Sequence, residues 1–295
     1  MAHDKDIAAL VAWDLPGSLP QGVARVLEHP CGSAASRALA RNMLDTKADA
    51  LFKDAGHYVA AAWATYLHGS GDLTLPRLKE AGVASGFLST GRTRNLLAYL
   101  VRERFIELVE PASAATPARY ALTHVFTSVW REHLGAALRA ACVLEPAAAL
   151  ILDRLDQPQV FAAFAQAQSG GLLQASVDVA ADHPYIRIFL HRRAGNQVIW
   201  ALTADGDGDF PGNDAVQVSI SALARRFHVS RTHIRRMFED AAGEGLVSWD
   251  GRAVLIEETA REFIRWYYAA QILALLIAAA RAVTLLAERG APITH

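Results

Sequence analysis

The sequence predicts a mainly α-helical protein with small β wings, built from two copies of one unit. Three observations carry this. Apolar residues make up 52% of the 295, alanine and leucine dominate, and Gly and Pro are sparse inside the long apolar-periodic segments. That composition favours helices and excludes disorder. Ser219 to Val247 reads as two short helices joined by a tight turn, with a two-stranded hairpin directly after. A looser version of the same order occurs between residues 45 and 142.

The later copy is the better formed. A helix ends near Ala204, and an Asp-Gly-rich loop runs from Asp205 to Asp214. Val216 to Val218 form a short strand. Ser219 caps a helix from Ile220 to Phe227, in which Ile220, Leu223, Ala224 and Phe227 share a face. Val229 buries the turn. Ser230 caps the next helix, with Ile234, Met237, Phe238 and Ala241 inward. Gly245 ends it. Asp250-Gly251 signals a two-residue hairpin between Val247–Trp249 and Ala253–Ile256. Glu257 opens a long helix running to about Glu288.

The earlier copy repeats these signals at a spacing of roughly 135 to 145 residues. A helix from about Thr46 to Leu67 leads to Gly69-Ser70-Gly71 and the extended pair Asp72-Leu73. Thr74 caps a helix with Pro76 in its first turn, and Leu75, Leu78 and Ala81 point inward. Ser89 caps a second helix, where Thr93, Leu96, Leu97 and Leu100 match Ile234, Met237, Phe238 and Ala241. Phe105 matches Leu246. Strands over Ile106–Glu110 and Arg119–Thr123 flank a longer tip, and a helix with Val125, Val129 and Trp130 inward follows. The turn from Gly82 to Leu88 is stretched. Between the copies, helical segments are expected at about Pro146–Leu155 and Pro158–Ala167, then a break at Ser169-Gly170-Gly171. A further helix leads into His183-Pro184. The expected domains are 1–142 with leading helices, a helical connector over 143–183, and 184–295 with the long terminal helix.

Ser219 to Ile256 resembles a bacterial winged helix-turn-helix transcriptional regulator. The helix–helix–turn–helix–wing–long-helix order, with Tyr120-Ala-Leu-Thr123 closing the first wing, is similar to the MarR family. The resemblance covers about 45–142 and 184–289. It implies tandem winged helix-turn-helix domains in one chain, arranged as a pseudo-dimer. The chain departs from that family in its length, its intervening segment, the stretched first turn and the short second wing.

A helix of this kind reads base edges near its N-terminus, where free N–H groups also favour phosphate. In the later copy the outward residues are Ser230, Arg231, Thr232, Arg235 and Arg236. Five arginines and no carboxylate lie between Arg225 and Arg236, and His228 and His233 add optional charge. Arg252, beside the hairpin turn, is the wing candidate for a minor groove or phosphate. In the earlier copy Thr90, Arg92, Arg94 and Asn95 open the second helix, with Arg119 near its wing. Arg suits guanine and Asn suits adenine. The helices differ, which predicts an imperfect inverted repeat as operator. The expected partner is double-stranded DNA.

The net charge of −1 requires any such surface to be local. The apolar face Trp266, Tyr267, Tyr268, Ile272, Leu275, Leu276 and Ala279 is expected to pack against the other unit or a second copy of the chain. It is also a candidate lining for a small apolar effector. Phosphate loops, dinucleotide fingerprints and nucleophile elbows are missing from the sequence, so an enzyme and a cofactor are not expected. Cys31 and Cys142 have no metal-ligand spacing, nor do the pairs His183/His191 and His228/His233. Asp205, Asp207 and Asp209 lack the later glutamate of a calcium loop. The start Met-Ala-His-Asp-Lys-Asp is not a signal peptide, and Ala269–Ala280 falls short of the about 20 apolar residues of a membrane span. A cytoplasmic location without membrane partners is expected. Two other readings stay open: a winged-helix protein-docking module, and a plasmid replication initiator, a class that tends to be more basic.

Overall fold

Asp54, Ser89, Thr123, Ser219 and Ser230 each accept a backbone N–H from three residues on, and each starts a helix. An oxygen there satisfies one of the donors that a helix start leaves without an intrahelical partner. The computed structural model describes residues 2–14, 18–44, 53–84, 88–175 and 183–290, with side chains described for all of these but 2, 3 and 171–175. The protein is mainly helical, with two small antiparallel sheets.

Three helices lead: α1 (Ala2–Val11), α2 (Leu19–Glu28) and α3 (Gly32–Leu44). The earlier copy supplies α4 (Ala55–Gly69), α5 (Leu75–Ala84), α6 (Thr90–Arg102), β1 (Ile106–Glu110), β2 (Arg119–Leu122) and α7 (His124–Leu144). Between the copies lie a 3-10 turn (Pro146–Ala148), α8 (Ala149–Leu152) and α9 (Pro158–Ala175). A π-helical turn (Ile186–Leu190) precedes α10 (Gly195–Thr203), β3 (Val216–Gln217), α11 (Ile220–Arg226), α12 (Arg231–Gly243), β4 (Val247–Trp249), β5 (Ala253–Ile256) and α13 (Glu258–Glu288).

The second sheet has the order β3-β5-β4, with Val247 opposite Ile256 and Trp249 opposite Val254. In the first sheet β1 pairs β2, with an irregularity between Leu108 and Glu110, and Thr74 forms an isolated bridge to Arg119. Thr74 thus takes the place that β3 holds in the second sheet.

The two stretches share a set of backbone devices. Arg104 and Gly245 both adopt positive φ, 59° and 68°. Phe105 N–H donates to the Leu100 carbonyl, and Leu246 N–H to the Ala241 carbonyl. Thr123 N–H donates to Phe105, and Glu257 N–H to Leu246. The packing is also reciprocal. α3 lies on α7 and α10, α9 lies on α13 and α4, and α7 and α13 touch each other. Each copy's preceding helix therefore clamps its own last helix to the other copy's first.

Several sequence expectations are corrected. Ser169-Gly170-Gly171 is no break, because α9 runs unbroken from Pro158 to Ala175. Ser169 is fully buried, and a Cβ on Gly170 would lie 3.5 Å from the Tyr66 ring. Packing of α9 against both α13 and α4 outweighs the roughly 1 kcal/mol helix penalty of a glycine. The segment expected as a connector therefore supplies a central helix. Val125 is half exposed and Phe126 is buried in its place, since Thr123 caps α7 and sets its phase. The helix expected from Thr46 begins at Ala55 with Asp54 as cap; residues 45–52 lie outside the described residues, as do 176–182 before His183. The second hairpin turns on Gly251 and Arg252, not on Asp250-Gly251. Asp250 instead accepts the N–H groups of Arg252 and Ala253 at 2.8 and 2.7 Å. α13 is longer than the apolar run suggested. By length and composition it could cross a membrane, at a mean hydropathy of 2.0, and 61% of that window is buried inside the protein. Cys31 and Cys142 are both free and half-buried.

Candidate nucleic-acid interface

α12 is oriented by its apolar face. Ile234, Met237, Phe238 and Ala241 are fully buried, and the Phe238 ring lies 5.6 Å from that of Trp249 on the hairpin. Burying a large aliphatic or aromatic side chain contributes about 1.5–3 kcal/mol, while an exposed arginine contributes little to folding. The apolar face therefore decides which residues point out. The turn before α12 is tight: His228 has φ 52°, and Val229 N–H donates back to the Ala224 carbonyl.

Charge is split along α12. In its first half Arg231, Thr232, Arg235 and Arg236 are exposed, and the three arginines have no ion-pair partner among the described residues. Ser230 is the cap, accepting from His233 N–H at 3.0 Å. In the second half Asp240 pairs with Arg192 at 2.6 Å, the C-cap Glu244 pairs with Arg187 at 2.5 Å, and Glu239 is exposed. The acidic end is thus tied to the π-helical turn region while the basic end stays open. Arg225 is exposed as well, whereas Arg226 donates to the Leu44 carbonyl of α3 at 3.1 Å. Arg252 is exposed at the tip of the second hairpin.

The earlier copy divides its residues differently. Thr90, Arg94 and Asn95 are exposed on α6. Arg92 turns inward and donates to Asp54 at 2.8 Å. Asp54 also holds His57, with Nδ1 at 3.1 Å and the backbone N–H at 3.0 Å. Burial raises the Asp54 carboxyl pKa, but the hydrogen bonds and charge of His57, then the charge of Arg92, outweigh that and hold it below its ordinary value. Arg119 pairs with Glu110 across the first hairpin. Of the five residues expected here, three point outward and two are engaged.

Sequence reading missed a bridge that joins α6 to α12. From α6, Arg92 reaches Asp54. The neighbouring Lys53 carbonyl accepts from Ala194 N–H at 2.9 Å. Next to Ala194, the Arg193 carbonyl meets His233 Nε2 of α12 at 2.8 Å. The N-terminal ends of α4 and α10 thus meet between the two second helices. Lys53 Nζ sits 4.4 Å from the centre of the Tyr99 ring, and Arg193 is exposed without an ion-pair partner among the described residues. Lys53 and Arg193 each lie two residues before a helix, α4 and α10.

No protein-family model, curated protein or solved structure matches the chain. The site therefore rests on its own chemistry. That chemistry is a row of unpaired arginines at one helix start, a smaller set at its twin, and a polar bridge holding the two together. Among the described residues no three His, Cys, Asp or Glu side chains gather as metal ligands.

Proposed function

We propose that the chain is a sequence-specific DNA-binding transcriptional regulator, with two winged helix-turn-helix units forming a pseudo-dimer within one chain. The observation that carries this reading is the charge split of α12: its exposed N-terminal half is basic and unpaired, while beyond it Asp240 and the C-cap Glu244 are ion-paired within the fold and Glu239 stays exposed. Exposed guanidinium groups at a helix start suit guanine edges and phosphates. The shared backbone devices and the reciprocal packing of α3 and α9 support the pseudo-dimer.

A small apolar effector has a candidate place in an open cleft of about 480 Å³ between α4, α9 and α13, lined by Trp63, Tyr66, Leu285, Arg281 and Glu288. A ligand there would shift DNA binding only by favouring one arrangement of the units.

Enrichment of genomic fragments by the full chain, followed by binding titrations at two salt concentrations, tests the proposal. Specific retention with a steep salt dependence is expected. Arg235→Ala should weaken binding by roughly 1–3 kcal/mol if Arg235 reads a base. Failure to retain any DNA at low salt would overturn the reading. A second reading, a protein-docking module, is favoured by the first hairpin. There Leu108 and Val109 are 53% and 51% exposed beside Glu107 and Glu110, a surface unsuited to phosphate.

A further inference from the structure

α6 and α12 can be compared position by position because the same devices frame both. Ser89 and Ser230 cap them, Arg104 and Gly245 end them, and the four buried positions coincide. The third helical position is withdrawn in both copies: Arg92 goes to Asp54 and His233 to the Arg193 carbonyl. Within the first six helical positions four outward pairs remain: Thr90 with Arg231, Gly91 with Thr232, Arg94 with Arg235, and Asn95 with Arg236. One pair is identical and three differ.

Resting on the DNA reading above, we infer that the chain recognises an inverted repeat whose half-sites share one guanine and differ at the base beside it. Arg94 and Arg235 contact the shared guanine, one in each half. Beside it, Asn95 selects adenine in one half and Arg236 selects guanine in the other. Arg pairs bidentately with guanine and Asn with adenine in the major groove. The half-site under α12 is also gripped more strongly. Arg231 takes the place of Thr90, and Arg252 at the second hairpin is free of ion pairs among the described residues, whereas Arg119 at the first is held by Glu110. Each added cation on phosphate steepens the salt dependence.

The test is in vitro selection from a random duplex library with the full chain, alongside the reciprocal variants Asn95→Arg and Arg236→Asn. Both positions are exposed, and unchanged thermal midpoints would verify folding. The wild-type motif should be a two-part inverted repeat with a common guanine and one unequal position. Asn95→Arg should turn adenine into guanine in the weaker half alone. Arg236→Asn should do the reverse in the stronger half. Identical wild-type half-sites, or motifs unmoved by either variant, would overturn this inference and leave DNA binding standing. A library with no enrichment at low salt would overturn both.

Discussion

Arg104 and Gly245 hold the same left-handed position after matching helices, yet only one of them is a glycine. An L side chain there costs about 1–2 kcal/mol. Nothing lies within 4 Å of a Cβ built on Gly245, so conformation alone governs the exchange. Arg104→Gly should raise stability and Gly245→Arg should lower it, each by about 1 kcal/mol, in urea titrations. Equal and opposite signs are the expected result. His133 makes a second residue-scale case. It is buried on α7, stacked 5.8 Å from Trp130 and edge-on to Tyr58, and burial pushes its pKa down to about 4. The unfolded chain takes up the proton first as pH falls through the ordinary histidine value near 6.5. Stability from this residue is therefore complete above about pH 6.5 and declines as pH falls to about 4, by roughly 3 kcal/mol in all. Denaturation of His133→Phe across that window should show a shallower slope than wild type.

At the scale of elements, α6 separates a residue engaged in the fold from the residues proposed to bind DNA within one turn. Arg92 is 38% exposed and bonded to Asp54, which is 12% exposed. Arg92→Ala should lower stability by roughly 1 kcal/mol. Arg94→Ala should leave the thermal midpoint in place and weaken DNA binding. The reverse pattern would exchange the roles assigned to the two residues. The helix starts at Ser89, Ser219 and Ser230 were legible because a cap is a local event, each bonding only three residues along. The break expected at Ser169-Gly170-Gly171 failed for the opposite reason. A glycine's local cost is overridden when the helix that carries it is packed between others, here α4 and α13. The inward turn of Arg92 was likewise illegible, since Asp54 is distant in sequence.

At the scale of the molecule, buried residues from α1 through α13 belong to one continuous core. α13 touches α1, α2, α3, α7 and α9. Neither copy has a core of its own to retain if the other melts. Thermal unfolding followed by calorimetry and by tryptophan fluorescence should therefore give one coincident transition. Two resolved transitions would show that the copies are independent.

The sequence by itself determined the mainly helical character, the caps at Ser89, Ser219 and Ser230, and the two hairpins. These follow from period, turn chemistry and capping, which act over a few residues. It also placed Arg94, Arg231, Arg235 and Arg236 on outward faces, because the apolar stripe of an amphipathic helix dictates the opposite side. Only the tertiary structure decided that α9 is a central helix, that Arg92 and Arg119 are already engaged, and that Lys53 and Ala194 join the copies. Apart from the Arg119–Glu110 pair, which sits across one hairpin, those outcomes depend on contacts between residues far apart in the chain, and no local pattern encodes which distant carboxylate or carbonyl a side chain will meet.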